Sequence, residues 1–565
     1  MNNFLPINSS DLKKLNIKQL DIIIITGDAY IDHPSFGSTI IGRWLEYNGF
    51  KVGIIPRPQT IEDFKRLGKP KLFFAITAGN LDSMVCNYTA SLKKRKTDAY
   101  SPGNKAGLRP DYATIKYSQQ VRSIYRNIPI IIGGIEASLR RIAHYDYWKD
   151  KIRHSILLDA KADILIYGMG ELAILELAQS FAKNKNYKNI NGIGYVVTKK
   201  EDLPDNENYI HLLSYDELKK HPEKILELTK TFITEYNKNK GFIQKSENRW
   251  VVLNPPNPPL TTEQMDKIYS LPYQYLPHPS YKEPIKAWDM IKNSITISRG
   301  CPGGCTFCAI TIHQGKTIQS RSIKNILKEV NIITKKNYFK GYINDLGGPT
   351  ANLYDVQILD NNLCKKCNRL SCIYPTICKN LIIDYNKLLT LYKKIRKHPK
   401  IKKVFINSGI RYDIITNDKY IEDLVKYHIS GQLKIAPEHV NPEVLKLMNK
   451  PTIDKFFKFI DKFKKINKKY NLKQYYIPYF ILSFPGTTEK EYEELKRTFK
   501  KMKFTPEQIQ IFTPTPMSLA TAMYVSERSF INNKKINVIK NLHEKNKIKK
   551  KFQKPYKYDK KYLKK

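Results

Sequence analysis

Three cysteines with C-x-x-x-C-x-x-C spacing give the clearest indication of chemistry in this sequence. Cys301, Cys305 and Cys308 lie on a loop in which glycine and proline fill the other positions from 300 to 304. Thiolates are the soft ligands of iron–sulfur clusters, most of which take four cysteines. Three thiolates on one loop would hold three irons of a [4Fe–4S] cluster and leave the fourth iron open to chelate a small molecule. The alternative is a structural zinc loop, but structural zinc takes four protein ligands and no fourth cysteine is nearby in sequence.

The loop resembles the cluster loop of the radical S-adenosylmethionine (SAM) enzymes, including the aromatic Phe307 directly before the last cysteine. The resemblance implies that the open iron binds the amino and carboxylate groups of SAM. One electron from the cluster then cleaves SAM to methionine and a 5′-deoxyadenosyl radical. The cofactor carries the chemistry while the protein orients the reactants and excludes water. Such a protein needs an electron donor, of the flavodoxin or ferredoxin kind.

A second group of four cysteines lies within 15 residues, at Cys364, Cys367, Cys372 and Cys378. Four thiols in so short a polar loop indicate a second metal site in a reducing compartment. A complete set of four ligands suits structural zinc. Proximity to the first loop suits an auxiliary iron–sulfur cluster that relays electrons or holds substrate, and the sequence leaves both alternatives open. The remaining Cys86 has no partner in sequence and is expected to be a small buried side chain.

Composition and charge limit the classes of protein to consider. The chain has 565 residues, of which 41% are hydrophobic, so two or three globular domains are expected. No apolar run approaches a membrane span of about 18 residues, and no secretory signal is visible. Clustered cysteines suit a cytoplasmic protein. The net charge of +45 suggests a nucleic-acid partner, but it also fits an AT-rich coding sequence that favours lysine and asparagine throughout.

Residues 1–180 alternate apolar runs with amphipathic segments, which predicts an α/β domain with a doubly wound parallel sheet. Ligands of such sheets bind beyond the carboxyl ends of the strands. Buried strands are expected at 21–26, 52–55, 72–76, 129–132 and 163–167. The polar residues beyond the last two of these strands include Glu136, Ser138, Arg140, Arg141, His144, Asp146 and Glu171.

This first domain resembles the cobalamin-binding domain that precedes the barrel in some radical SAM enzymes. That family ligates cobalt through Asp-x-His-x-x-Gly, whereas Asp32 and His33 are adjacent here, although Gly37 follows. The departure disfavours cobalamin. A fold kept as a scaffold or substrate platform is the alternative. A dinucleotide site is disfavoured as well, because no G-x-G-x-x-G follows the first strand.

Two further regions are expected to lie outside the main domains. Residues 181–285 read as a connecting segment, because the proline-rich stretch 254–259 cannot enter a helix or an inner strand. Residues 531–565 read as a basic C-terminal tail in which aromatic residues are interleaved with lysines. Such a tail can bind phosphate backbones and stack on bases, or it can be a solvated terminus.

Residues 286–530 are expected to form a partial (β/α) barrel. The cluster loop follows a short alternating strand at 294–297 and precedes a predicted helix at 322–335. Strand, loop and helix make the first unit of the barrel, whose active site gathers at the carboxyl ends of its strands. The four-cysteine loop, 364–378, is an insertion after the second strand and therefore starts on the same face.

The ends of the second and third predicted barrel strands resemble SAM-binding motifs. Gly347 and Gly348 resemble the Gly-Gly-Glu motif whose backbone holds the SAM amino group, with Pro349 where the acid would be. Ser408 and Arg411 follow the third strand and are placed to touch the ribose and the carboxylate of SAM. For each motif alone, the turn between a strand and a helix would also explain the glycines.

Later strand ends supply weaker candidates. Lys434 lies on a strand whose long polar side chains suggest a barrel interior that faces a ligand. Glu438 and His439, at the end of that strand, are the only candidates for a catalytic acid or a radical relay. The stretch 479–488 resembles the strand that lines the adenine in many radical SAM enzymes. The loop 512–517, with two prolines, either lines a substrate entrance or ends the last strand.

As a whole, the sequence resembles the YgiQ-type radical SAM proteins, a family whose substrate is not established. The resemblance is carried by residues 27–37, 133–141, 144–148, 298–308, 346–352, 364–378, 436–439 and 512–517. It implies a [4Fe–4S] cluster and SAM but no substrate, because fold and cofactor do not fix function. The leading hypothesis is a radical SAM enzyme whose substrate is an RNA, a protein or another molecule. The alternative is a non-enzymatic, metal-dependent nucleic-acid-binding protein.

Overall fold

The computed structural model describes residues 4–502 and 508–553, and its first half is built on one nine-stranded sheet. Isoleucine-rich runs such as Ile22–Thr26 are buried on both faces, as expected of inner parallel strands. The strands lie in the order Tyr209–Leu212, Gly241–Ser246, Arg249–Leu253, Ile193–Val197, Ile164–Ile166, Ile130–Gly133, Phe73–Thr77, Ile22–Thr26 and Val52–Pro56.

The five strands from Val52–Pro56 to Ile164–Ile166 are parallel, which confirms the predicted doubly wound arrangement. The region 181–285 differs from the expected connecting segment. Its residues 193–253 add four strands to the same sheet, and Ile193–Val197 runs antiparallel to its neighbour. These strands have only four to six residues each, and polar loops and the helices Tyr215–Lys220 and Ile225–Asn237 separate them, so the average composition of the region conceals them.

Helices cover both faces of the sheet because successive strand residues point to opposite sides. Ile22 and Ile24 pack with the helices Gly37–Tyr47 and Glu171–Ala182. Ile23 and Ile25 pack on the other face. The helices of that face include Ala113–Ile124 and Ile225–Asn237.

The second half is a partial barrel of parallel strands that pair in chain order. An isolated parallel bridge between Ile410 and Ile435 joins the third strand region to the fourth. The strands are Ser294–Thr296, Tyr342–Ile343 with Asp345–Gly347, Lys403–Val404, Gln432–Glu438, Tyr475–Leu482 and Gln508–Ile511. The main helices that connect them are Ile323–Ile333, Tyr385–Arg396, Asp418–Asp423, Ile453–Lys469 and Glu489–Lys501. The sequence expectation of a barrel in this half is confirmed.

The predicted basic tail is partly a folded element. The helix Leu542–Gln553 packs Ile548 and Phe552 into a cluster with Phe480 and Phe499 of the barrel. Residues 554–565 of that tail lie outside the described residues. Within 4–502 and 508–553, no helix combines the length and the apolar character that crossing a bilayer would need.

Candidate active site

The three-cysteine loop leaves the first barrel strand and is fixed by its own backbone. The Cys301 N–H donates to the Gly315 carbonyl at 3.1 Å, and the Cys308 N–H donates to the Cys305 carbonyl at 3.1 Å. A Cβ atom on Gly303 would lie 3.2 Å from the Cys301 sulfur and 3.8 Å from the Cys305 sulfur. A side chain at position 303 would therefore require the Cys301 thiol to shift by a few tenths of an ångström.

The surroundings of these thiols fit a positively charged cluster. Burial raises the pKa of Cys301, and burial together with the charges of its two neighbours raises the pKa of Cys308 to about 12. The thiols of Cys301 and Cys308 therefore ionise readily only when a positive charge lies beside them. Iron would supply that charge, so the type of donor that Cys301, Cys305 and Cys308 offer suits a [4Fe–4S] cluster.

A cavity of about 980 Å³ separates the barrel mouth from the carboxyl edge of the N-terminal sheet. Arg299 and Ile310, on either side of the cysteine loop, line it. The barrel wall includes four residues predicted to contact SAM, namely Gly347, Gly348, Ser408 and Lys434. The sheet wall is mostly apolar and includes Ile24, Ile40, Ile76, Ile132, Ile166 and Ile174. Both halves of the protein thus meet at the carboxyl ends of their strands around one space.

The SAM-like strand ends are packed closely against each other. A Cβ atom on Gly347 would lie 2.7 Å from the Ser408 hydroxyl oxygen, and one on Gly348 would lie 2.6 Å from the Ser298 carbonyl oxygen. The Ser408 N–H donates to the Asp345 carboxylate at 3.0 Å, and the Ser408 hydroxyl donates to the same carboxylate. Asp345, which sequence reasoning did not identify as a site residue, therefore fixes the third strand end against the second.

Arg411 and Glu438 lie beside the cysteine loop and outside the cavity wall. The Arg411 guanidinium donates to Asp413 at 2.7 and 2.9 Å and to the Cys305 sulfur at 3.4 Å. The expected contact of Arg411 with SAM stays a prediction. The Glu438 carboxylate lies 4.0 Å from the Lys450 ammonium, and burial raises its pKa. Its charge is one of the causes that raise the pKa of Cys308.

Two other predicted residues belong to the packing of the barrel. His439 is fully buried, its Nδ1 accepts from the Asn441 N–H at 3.1 Å, and burial lowers its pKa to about 4. The structure therefore places this catalytic candidate in the core instead of at the cavity. Phe307 packs edge-on against Phe484 with ring centroids 6.2 Å apart, which anchors the cluster loop. The loop 512–517 follows the last strand, and Phe512 packs on the same phenylalanine.

A buried ion pair joins the two halves at the cavity. Arg299, two residues before Cys301, donates to the Glu171 carboxylate at 2.5 Å and to the Tyr269 hydroxyl at 3.0 Å. Beyond the loop, the His313 ring lies 3.0 Å from the Ser138 hydroxyl. The sequence had marked Glu171 and Ser138 as strand-end residues. Their partners, Arg299 and His313, could not be recognised from the sequence, because they lie in the other half of the chain and pair with Glu171 and Ser138 only after folding.

Several other polar residues at the strand ends are used in packing. Arg140 forms a buried ion pair with Asp82, and Arg141 lies among three aromatic rings. Asp32 is held in another buried ion pair, and His33 is only 1% exposed. None of these side chains lines the cavity. His33 is therefore not placed to ligate a cobalt ion there.

The four-cysteine loop lies directly against the cluster loop. The Cys372 N–H donates to the Pro302 carbonyl at 2.9 Å. Gly304 has a φ of +56°, and a Cβ atom there would lie 2.2 Å from the Leu370 carbonyl oxygen. All four cysteines of the inserted loop line a second cavity of about 760 Å³. Among residues 4–502 and 508–553, no group of three or more His, Cys, Asp or Glu side chains is arranged to hold a metal ion.

Comparisons with known proteins agree with this fold. Residues 4–294 match the family described as Radical SAM N-terminal, and residues 295–499 match the Radical SAM superfamily. Two structures of TsrM from Kitasatospora setae, a radical SAM methyltransferase, have TM-scores of 0.51 at 11% identity. One contains tryptophan and a SAM analogue, the other cobalamin and a [4Fe–4S] cluster; the match covers 88% of this chain and 74% and 76% of theirs. Together the family matches and the fold define a radical SAM enzyme.

Curated relatives narrow this class. A UPF0313 protein of Clostridium botulinum (strain 657 / Type Ba4) is 49% identical over 554 residues, which is 96% of this chain and 86% of the relative. A UPF0313 protein of Thermotoga neapolitana is 46% identical over 557 residues, covering 97% and 98%. The chain belongs to the UPF0313 family, and the resemblance to the YgiQ-type proteins is confirmed.

Proposed function

We propose that Cys301, Cys305 and Cys308 hold a [4Fe–4S] cluster whose open iron binds SAM, and that the protein cleaves SAM reductively to act on a substrate in the same cavity. The observation that carries this proposal is the shared cavity, which is lined by the flanks of the cysteine loop, the SAM-like strand ends and the sheet edge. When bound, the cluster passes one electron to SAM, which yields methionine and a 5′-deoxyadenosyl radical.

The barrel residues orient SAM. Gly347 and Gly348 line the cavity and carry no side chain, so their backbone can meet the SAM amino group. Lys434 lines the cavity, so its ammonium can meet a carboxylate there. Arg411 donates an N–H to the Cys305 sulfur and stabilises negative charge on that thiolate. In this proposal, Arg411 acts on the cluster and not on SAM itself.

The sheet side of the cavity is the proposed substrate site. Its isoleucines exclude water, which protects a radical from side reactions. About 980 Å³ is near the top of the range for small-ligand sites, so SAM fits together with one further group. An RNA or protein substrate would therefore present a single base or side chain. The proposal includes no cobalamin, because His33 is packed away from the cavity.

Production of 5′-deoxyadenosine tests the proposal. Reconstituted protein is given SAM and titanium(III) citrate under strict anaerobiosis, and the product is measured by chromatography. We expect product from the wild type and none from the Cys301→Ala/Cys305→Ala/Cys308→Ala variant. Cys86→Ala is the matched control, because Cys86 is a buried cysteine far along the chain from the loop. Equal product from the wild type and the triple variant would contradict the proposal.

A further inference from the structure

We propose that Cys364, Cys367, Cys372 and Cys378 hold a second, redox-active iron–sulfur cluster. This cluster receives electrons from a small acidic carrier protein and passes them to the cluster at the three-cysteine loop. The proposal rests on the proposed function for the destination of the electron. It adds a metal site, an electron path and a docking surface for the carrier.

The two cysteine loops are joined backbone to backbone. The Pro302 carbonyl accepts from the Cys372 N–H at 2.9 Å and from the Ser371 hydroxyl at 3.2 Å. Pro302 follows Cys301 directly in the chain. A ligand of one site is therefore connected to a ligand of the other through one proline residue and one hydrogen bond. Electron transfer falls steeply with distance and is favoured along bonded paths, so this contact is suited to carry it.

The surroundings of the four thiols suit a cluster. A structural zinc ion is enclosed by its four ligands. Here all four cysteines are partly exposed and line a cavity of about 760 Å³. The Asn380 amide donates to the Cys364 sulfur at 3.3 Å, and the Arg369 N–H donates to the Cys367 sulfur at 3.4 Å. Such hydrogen bonds to sulfur tune the reduction potential of iron–sulfur clusters.

The surface of the same segment has the character of a docking site for an acidic protein. Four large apolar side chains that are 38% to 65% exposed lie between residues 359 and 382: Leu359, Leu363, Ile377 and Ile382. Three exposed lysines lie among them, at Lys365, Lys366 and Lys379. Exposed apolar groups mark interaction sites, and the lysines complement a negatively charged partner. A flavodoxin- or ferredoxin-like carrier of one electron has this chemistry.

The proposed transfers balance. The reduced carrier loses one electron, and the second cluster gains it. The same electron then passes through the contact between Cys372 and Pro302 to the first cluster. From there it enters SAM, where the bond between sulfur and the 5′ carbon breaks to give methionine and the 5′-deoxyadenosyl radical. No proton is needed in these steps.

Metal analysis of the reconstituted full chain tests the site. We expect about eight irons and eight sulfides per wild-type chain, that is, two [4Fe–4S] clusters. The Cys301→Ala/Cys305→Ala/Cys308→Ala variant and a variant with all four inserted cysteines changed to alanine should each keep about four irons. After reduction, only the second of these variants should show an electron paramagnetic resonance signal that changes when SAM is added. About four irons and one zinc in the wild type would overturn the proposal.

The choice of reductant tests the electron path. With titanium(III) citrate, the variant lacking the four inserted cysteines should still cleave SAM; with reduced flavodoxin it should not. Lys365→Glu/Lys366→Glu/Lys379→Glu should lower kcat/KM for flavodoxin about tenfold or more and leave the titanium-driven rate unchanged. The matched control, Lys199→Glu/Lys200→Glu/Lys220→Glu, changes three exposed lysines outside the four-cysteine loop. Lys199 and Lys200 follow the strand Ile193–Val197, which runs antiparallel to Ile164–Ile166 and so ends at the edge of the sheet away from the cavity, and Lys220 ends the helix Tyr215–Lys220. Equal kinetics with flavodoxin in all these proteins would overturn the proposed electron path. If the wild type does not cleave SAM with titanium(III) citrate, that result would contradict the proposed function instead.

Discussion

At the scale of single residues, Gly304 shows how closely the two cysteine loops depend on each other. Its φ is +56°, and a Cβ atom added to it would lie 2.2 Å from the Leu370 carbonyl oxygen. A side chain there would push the inserted loop away from Pro302. This one glycine therefore allows the two cysteine loops to pack together.

Gly304→Ala is expected to lower the iron content of the reconstituted protein and to reduce 5′-deoxyadenosine production. Gly68→Ala is the matched control, because Gly68 also has a positive φ, +74°, but an added Cβ meets nothing within 4 Å. Both variants carry backbone strain of about 1–2 kcal/mol, so the difference between them isolates the collision. Iron analysis and Tm measure it. Equal iron loss in the two variants would show that strain alone is responsible.

The residue scale also shows what the sequence could predict. The type and spacing of Cys301, Cys305 and Cys308 were enough to predict that these thiols lie close together. Residues so near in sequence stay near each other in any fold. The partners of Arg411 and Glu438 were not predictable in the same way. They depend on which side of a strand end faces the cysteine loop, and a one-residue shift in strand register reverses that side.

At the scale of elements, the buried isoleucine strands were predictable and the helix Leu542–Gln553 was not recognised. Its lysines suggested a solvated tail. Lys545, Ile548 and Phe552 nevertheless follow the spacing of three and four residues that marks one helix face, and all three are buried. The spacing of these three residues indicates a helix with one buried face, but the lysine-rich composition of the segment favoured the interpretation as a solvated tail.

Lys545 gives a prediction about stability and pH. Its ammonium is buried, donates to the Tyr524 hydroxyl at 3.1 Å and lies over the rings of Tyr147 and Tyr524. Burial lowers its pKa from 10.5 to about 8. Between these pH values the unfolded chain binds more protons than the folded chain, so this group makes stability rise with pH.

Lys545→Met is therefore expected to be more stable than the wild type at pH 7 by about 2 kcal/mol, since it removes a buried charge. The advantage should shrink as the pH rises from 8 to 10. Thermal unfolding of both proteins across this range measures it. Lys547→Met, at an exposed position of the same helix, is the control and should show no such dependence. A difference that is constant with pH would contradict the role of Lys545.

At the scale of the whole molecule, the ion pair of Arg299 and Glu171 holds the barrel against the sheet. Arg299→Ala leaves a buried carboxylate without its partner and is expected to cost about 3–5 kcal/mol of stability. Arg299→Ala/Glu171→Ala should cost less than the sum of the two single variants, because both single changes remove the same interaction. Chemical denaturation of the four proteins measures the coupling. Additive losses would show that the pair does not connect the halves.

The cavity itself was not predictable at this scale. The sequence indicated two sets of strands with functional residues at their carboxyl ends. It did not indicate that the two edges face each other, because that depends on contacts such as those of His313 with Ser138, which are 175 residues apart. Residues 193–253 were missed for a related reason, since their strands complete a sheet that begins at residue 22.

The hydrogen bond between Cys372 and Pro302 also bears on how the protein matures. A flexible loop must be ordered before it can bind metal, and that ordering opposes binding. If both loops hold clusters as proposed, filling one of them immobilises Pro302 and Cys372 together and so lowers the entropic cost at the other loop. Loading would then be cooperative, and iron shortage would divide the molecules into fully mature and empty chains with few in between.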